Sequence, residues 1–182
     1  MSSEIAYTVL VLLVGLERVA ELVVSKRNEA WSMGRGGREF GARHYPPMVV
    51  LHTGLLAGAL IEVWVRRPHV DAWFAVLMVL VLLASQGLRW WCITTLGHRW
   101  NTRVIIVPGL APVTAGPYRF LSHPNYVAVV AEGIALPLVH AAWITAVAFT
   151  VLNAWLLTVR IRCENAALAQ LPSPASVPVT SP

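Results

Sequence analysis

Residues 126–161 read YVAVVAEGIALPLVHAAWITAVAFTVLNAWLLTVRI, an apolar run of about 36 residues. As one α-helix it would reach about 54 Å, almost twice the ~30 Å hydrocarbon core of a bilayer. Pro137 and the LVHAAW stretch after it (residues 138–143) offer a break, so the run predicts two short antiparallel helices, 126–139 and 141–161. Three further runs lie upstream: Ile5–Val24, Met48–Val65 and Ala72 to about Ile93, each about 18–22 residues and long enough to cross. The expected fold is therefore an all-α integral membrane protein of five spans, one domain over residues 1–168. The remainder, 169–182, reads AQLPSPASVPVTSP and is expected to be a disordered Pro- and Ser-rich tail. The start, MSSE, has no positive n-region and no A-x-A site follows, so the first run is kept as a span.

Composition agrees: 57% of the 182 residues are hydrophobic and 13% charged, where soluble domains average about 45–50% and 25%. An ordinary soluble globule and a disordered chain are both excluded. The net charge is +5, but its basic residues sit between apolar runs rather than along one stripe, which argues against a nucleic-acid protein. Those residues instead set topology. Lys26, Arg27, Arg35, Arg38 and Arg43 follow the first span, Arg99, Arg103 and Arg119 the third, and Arg160 and Arg162 the fifth. Only Arg66 and Arg67 mark the other side. The richer side is expected to be cytoplasmic, with the N-terminus outside and the C-terminus inside. Cys92 and Cys163 then lie in a reducing compartment and form no disulfide framework. Arginine outnumbers lysine thirteen to one, which points to a bacterial inner membrane as the setting. Trp64, Trp73 and Trp143 fall near the outer boundary and Trp90, Trp91 and Trp100 near the inner one, as an aromatic belt would.

Ionisable residues inside spans are expensive and mark either structural pairs or sites. Glu17 and Glu21 share a helix face, and Arg18 reaches Glu21 at i,i+3. His52, Arg89, Glu132 and Glu164 also fall toward the cytoplasmic ends, whereas Glu62 and His140 belong to the outer half and can reach the outer interface. An active site should therefore open toward the cytoplasm. The second cytoplasmic loop, GHRWNTRVIIVPGLAPVTAGPYRFLSHPNYVAV (residues 97–129), contains a β-like run and a Gly116-Pro117 turn. His123-Pro124 reads as a helix start whose free N–H groups suit an anion. GRGGRE (residues 34–39) forms no GxGxxG after a strand, so no Rossmann site is expected. Neither HExxH nor CxxC is present, and no metal site is expected.

The segment GPYRFLSHPNYVAV, then a helical hairpin, then RIRCENAAL resembles the isoprenylcysteine carboxyl methyltransferase family of integral membrane enzymes. The family pattern is GPY-R, R-H-P-x-Y and, after the hairpin, R-x-R-x-E; the likeness covers about residues 96–168. The upstream stretch SKRNEAWSMGRGGREFGARHYPPMVVLH looks like a bacterial branch linked with type III polyketide lipids. The resemblance implies S-adenosylmethionine bound without a Rossmann fold, in a cytoplasmic pocket, and a lipophilic small-molecule or prenylated acceptor entering from the bilayer. By motif match Tyr118, Arg119, His123, Pro124, Tyr126 and Glu164 are cofactor-binding, and Arg160, Arg162 and Glu164 catalytic. His44 and His52 are candidates on the substrate side. Two positions depart from the pattern: Ser122 replaces a basic residue, and Asn165 stands where many relatives carry a second Glu.

A sulfonium is a cation that the π face of Tyr126 or Trp100 attracts, and arginine holds a carboxylate bidentately. A carboxylate acceptor needs no base; a phenol or enol benefits from one, for which Glu164, His44 and His52 are the candidates. The reading is thus a membrane O-methyltransferase. An NADPH-dependent membrane reductase of related fold and a non-enzymatic scaffold are the alternatives.

Overall fold

The computed structural model describes residues 2–169; the expected tail lies outside the described residues but for Ala169. Five α-helices appear among the described residues: α1 Ser2–Met33, α2 Tyr45–Arg66, α3 Ala72–Leu96, α4 Pro124–Leu138 and α5 Trp143–Leu168. Three stretches among the described residues are long and apolar enough to cross a membrane: Ala42–Arg66, Ala72–Arg99 and Trp143–Leu168. The five expected spans are thus five helices, of which two fall short on one criterion each. In α4 it is length, 15 residues. In α1 the apolar run is interrupted by Glu17, Arg18 and Glu21.

Helix ends follow local chemistry. Pro46 and Pro47 open α2 at its first turn, where the missing N–H groups cost nothing. Gly97, at φ 54° and ψ −127°, stops α3 in a region that only glycine enters freely. Between α4 and α5 the chain turns over Val139–Ala142, with Ala141 at φ 53°. Pro137 lies inside the last turn of α4 rather than at the break. The first helix runs nine residues past the expected Val24, because nothing before Gly34 breaks it and a neighbour holds its extension. Asn28 donates to the carbonyls of Gly97 (3.1 Å) and Trp100 (2.8 Å), and the Ser25 and Thr102 hydroxyls meet at 2.9 Å.

The core forms where α1, α2, α3 and α4 meet, around Tyr7, Val11, Val63, Leu82 and Leu136. Tyr7 Oη donates to the Leu136 carbonyl at 3.1 Å. Leu12, Leu16, Val50, Leu80 and Val151 are exposed on the outside of the bundle, an apolar surface that suits lipid rather than water. Gly133 lets α5 approach α4: a Cβ there would overlap the Phe149 ring.

Two expectations about the far end are corrected. Glu62 and His140 do not reach an interface; they are 7% and 5% exposed. Glu62 caps α5 from a neighbouring helix, accepting from the N–H groups of Ile144 (3.1 Å) and Thr145 (2.8 Å) and from Arg66. His140 packs against the Tyr7 ring at 5.4 Å.

The β-like run becomes β2, Val104–Ile106, and pairs antiparallel with β1, Arg38–Phe40, in the register Arg38↔Ile106 and Phe40↔Val104. Its partner lies in the Gly-rich loop, where no strand was expected. This ribbon joins the loops that follow α1 and α3, so both sit at one end of the molecule with the start of α4 and the end of α5. All ten of the grouped basic residues belong to that end.

Candidate active site at the loop end of the helices

Two cavities meet where the loops cover the helices. The first, about 270 Å³, lies under the second loop, lined by Trp100, Asn101, Tyr118, His123, Glu164 and residues of β2 and its continuation to Val113. The second, about 170 Å³, lies among the helices. Its walls are largely apolar (Leu22, Val49, Leu56, Val129, Leu157), and its polar lining includes His52, Asn153 and the charged groups Arg18, Glu21, Arg89 and Glu132. Trp100, Asn101, Asn125, Tyr126 and Arg160 line both. They form a common wall.

Helical phase explains that wall. Arg160 and Glu164 are four apart on α5 and share a face; Arg162, two positions on, points about 200° away. Arg160 is buried and uses all three of its nitrogens. Nε donates to Tyr126 Oη at 3.0 Å, Nη1 lies 3.2 Å from Met48 Sδ, and Nη2 donates to the Thr102 carbonyl. Tyr126 Oη donates in turn to Glu164 Oε2. His123 stacks on the Tyr126 ring at 5.4 Å, and its Nε2 donates to Asn165 Oδ1 at 2.9 Å, with Glu164 Oε1 3.8 Å from Nδ1. One chain of contacts therefore runs from α2 through α5 and α4 to the loop.

Around the loop cavity, Tyr118 lies beside Cys92. Burial, with Cys92 and Glu164 nearby, raises its phenol above the ordinary range, so it remains a donor. Arg103 donates to Glu39 at 2.8 Å and lies over the Tyr45 ring at 4.4 Å; the Glu39 carboxylate raises its already high basicity. Arg99 donates to the Ala111 carbonyl at 2.7 Å and faces the same cavity.

Of the residues singled out from sequence, Tyr118, His123, Tyr126, Arg160 and Glu164 line the loop cavity, and His52 lines the helix cavity. Pro124 is fully buried as the first residue of α4 and sets its direction. Arg119, Arg162 and His44 line neither cavity. Arg119 is exposed over Phe120, Arg162 is exposed on α5, and His44 ends a short 3₁₀ turn beside Gly41 and Cys163. Trp100 does not belong to a belt: it is 3% exposed, against 40–69% for Trp64, Trp73, Trp90, Trp91 and Trp143. A loop tryptophan held by Asn28 is turned inward. Asn101, Asn125 and Asn153 were missed. Their only sequence signal is a polar amide flanking aromatic or apolar positions, which is too common to read.

Four buried polar atoms of the shared wall lack a hydrogen bond. Trp100 Nε1, both amide atoms of Asn101 and Asn125 Oδ1 are buried without partners among the described residues. Buried polar atoms are normally satisfied, so such a group marks a place for a ligand or water.

The second charged cluster binds helices together. Arg18 donates to Glu21 (2.7 Å) and Gln86 (3.0 Å), and Arg89 pairs with Glu132. Glu17 accepts from Gln86 and from Trp90 Nε1 at 2.5 and 2.6 Å. The i,i+3 pair legible in sequence is thus one link of a network across α1, α3 and α4.

The family model of isoprenylcysteine carboxyl methyltransferases matches residues 63–170, more than half of the chain. An uncharacterized protein of Bacillus subtilis strain 168, YpbQ, is 35% identical over 164 residues, covering 90% of this chain and 97% of that one. An uncharacterized protein of Haemophilus influenzae is 24% identical over 155 residues, covering 85% and 90% respectively. No solved structure matches. The matched region carries α3, the second loop, α4 and α5, hence the shared wall and nearly all of the loop cavity. The chain belongs to the isoprenylcysteine carboxyl methyltransferase family.

Proposed function

We propose that this protein is an S-adenosylmethionine-dependent O-methyltransferase of the bacterial inner membrane, with cofactor in the loop cavity and a lipophilic acceptor in the helix cavity. One observation carries the reading: two cavities of different character share a single wall, Trp100, Asn101, Asn125, Tyr126 and Arg160. Methyl transfer is a displacement that gains most from alignment and exclusion of water, and a shared wall is where two ligands would meet.

The donor set fits the cofactor. Glu164 suits an ammonium group, Arg99 a carboxylate, and the indole of Trp100 or ring of Tyr126 a sulfonium. Asn101 and Asn125 hold amide atoms free for an adenine or ribose. The bound cofactor supplies a methyl group on cationic sulfur. Arg160 and Tyr126 then act as positioning residues, since Arg160 is fixed at three points and leaves little freedom to the wall. All five helices are read as crossing or entering the bilayer, α4 with the turn that follows it, with the loops and C-terminus cytoplasmic. The acceptor is an isoprenylcysteine-like or, better suited to a bacterium, an alkylresorcinol- or alkylpyrone-like lipid.

Isothermal titration of S-adenosylmethionine into the purified, folded protein tests this reading. Saturable binding is expected, weakened in Glu164→Ala and His123→Ala; no binding to folded protein overturns it.

A further inference from the structure

We propose that His52 is the general base of the helix cavity and that the acceptor is accordingly a protonated hydroxyl rather than a carboxylate. This rests on the methyltransferase reading above and goes beyond it by naming the residue that moves the proton and the chemical class that needs it.

The argument begins with the ring's tautomer. His52 Nδ1 lies 2.8 Å from the Met48 carbonyl oxygen. A carbonyl only accepts, so Nδ1 carries the hydrogen and Nε2 of the neutral ring is a bare lone pair. Phe149 meets the ring edge-on at 5.3 Å and 87°, which fixes its plane. Phe149 is seated against Gly133, where no larger residue leaves room. Met48, one helical turn before His52 on α2, touches Arg160 in the shared wall. The imidazole is therefore oriented, holds one basic nitrogen, and lines the acceptor cavity one turn from the wall. The other two candidate bases lack these features: Glu164 lines only the loop cavity and accepts from Tyr126, and His44 lines neither.

An independent observation concerns the ligand. Asn153 is 2% exposed, lines the same cavity, and its Oδ1 has no hydrogen-bond partner among the described residues. Residues lining the same cavity also carry donors without a hydrogen bond among the described residues (Arg18 Nε, Arg89 Nε, Trp100 Nε1), which suit any oxygen ligand; what selects among oxygen ligands is Nε2 and Asn153 Oδ1, two acceptors in want of a hydrogen. An ionised carboxylate brings none; a hydroxyl does.

Charged groups of both signs surround the ring. Facing the cavity are Arg18 and Glu21 from α1, Arg89 from α3, Glu132 and Tyr126 from α4, Arg160 from α5 and Tyr45 from α2 itself. With Glu17, which contacts Arg18 at 3.4 Å, the network holds three carboxylates against two guanidinium groups. Arg160 is met through Tyr126 by Glu164. In the step, Nε2 takes the hydroxyl proton as the oxygen forms its bond to the methyl group. The methyl–sulfur bonding pair stays on sulfur, leaving a methyl ether, a neutral thioether and an imidazolium.

The test compares two acceptors in the full-length protein: a long-chain alkylphenol, protonated at neutral pH, and its dinitro-substituted analogue, already ionised. His52→Gln and His52→Asn should slow methylation of the first by about 10²-fold or more, and of the second by less than about tenfold. Without cofactor, the pKa of the bound dinitrophenol, followed by its absorbance, should be lower in the wild type than in either variant. S-adenosylmethionine affinity in the variants reports that they are folded. Equal losses on both acceptors, no loss on either, or an unchanged dinitrophenol pKa overturns the assignment of His52. A wild type that binds S-adenosylmethionine yet methylates neither phenol overturns the hydroxyl class. A folded wild type that does not bind it overturns the underlying reading instead.

Discussion

Two clusters of arginine and carboxylate lie within one protein and serve different ends. The cluster on α1, α3 and α4 closes on itself: Arg18, Glu21, Arg89 and Glu132 face one another, and Gln86 joins Arg18 to Glu17. The cluster on α4 and α5 is open. Arg160 and Tyr126 are fully engaged, but they end on Glu164, whose side chain is 29% exposed in the loop cavity. The same residue types thus give a tie between helices where every charge meets another, and a chain of contacts that stops at the loop cavity, where we place the cofactor.

Mutations should separate the two. The largest effect is expected for Arg89→Ala, which takes from buried Glu132 its nearest partner and leaves Arg18 alone to face both Glu132 and Glu21. A loss of about 3–5 kcal/mol of stability is expected, read as a fall in unfolding midpoint in detergent; a small change would mean that the closed cluster is not a tie. Next comes Glu164→Ala. It removes one charge-assisted hydrogen-bonding group from the open cluster, about 1.5–3 kcal/mol of cofactor affinity, with the unfolding midpoint nearly unchanged. Gly133→Ala sharpens the comparison from outside both clusters. Its Cβ would overlap Phe149, an overpacking cost of about 1–3 kcal/mol, and the displaced ring should disturb acceptor turnover more than cofactor binding. The smallest effect is expected for Arg162→Ala, on the exposed side of α5. Stability within about 0.5 kcal/mol of wild type is expected in a thermal melt.

What was legible follows from range. Apolar runs of 18 or more residues and a proline-interrupted double run announce helices through local composition, and five were found. The i,i+3 pair Arg18–Glu21 is local too, and it formed. Long-range matters were not legible: the strand Arg38–Phe40 exists because β2 lies beside it, and α1 continues to Met33 because Asn28 finds the loop after α3. Trp100 was misplaced for the same reason, since hydropathy cannot tell an interfacial indole from one turned into a cavity. The separation of Arg160 from Arg162, however, was available in sequence. Two residues apart on a helix they cannot share a face, whereas Arg160 and Glu164 must.

The most direct test of the two-cavity account is transfer itself. Organic extracts of membranes bearing the wild-type protein, compared by mass spectrometry with membranes bearing Glu164→Ala, should contain a lipid heavier by one CH2 that the variant fails to make. Identical extracts, with both proteins folded and present in the membrane, would contradict it.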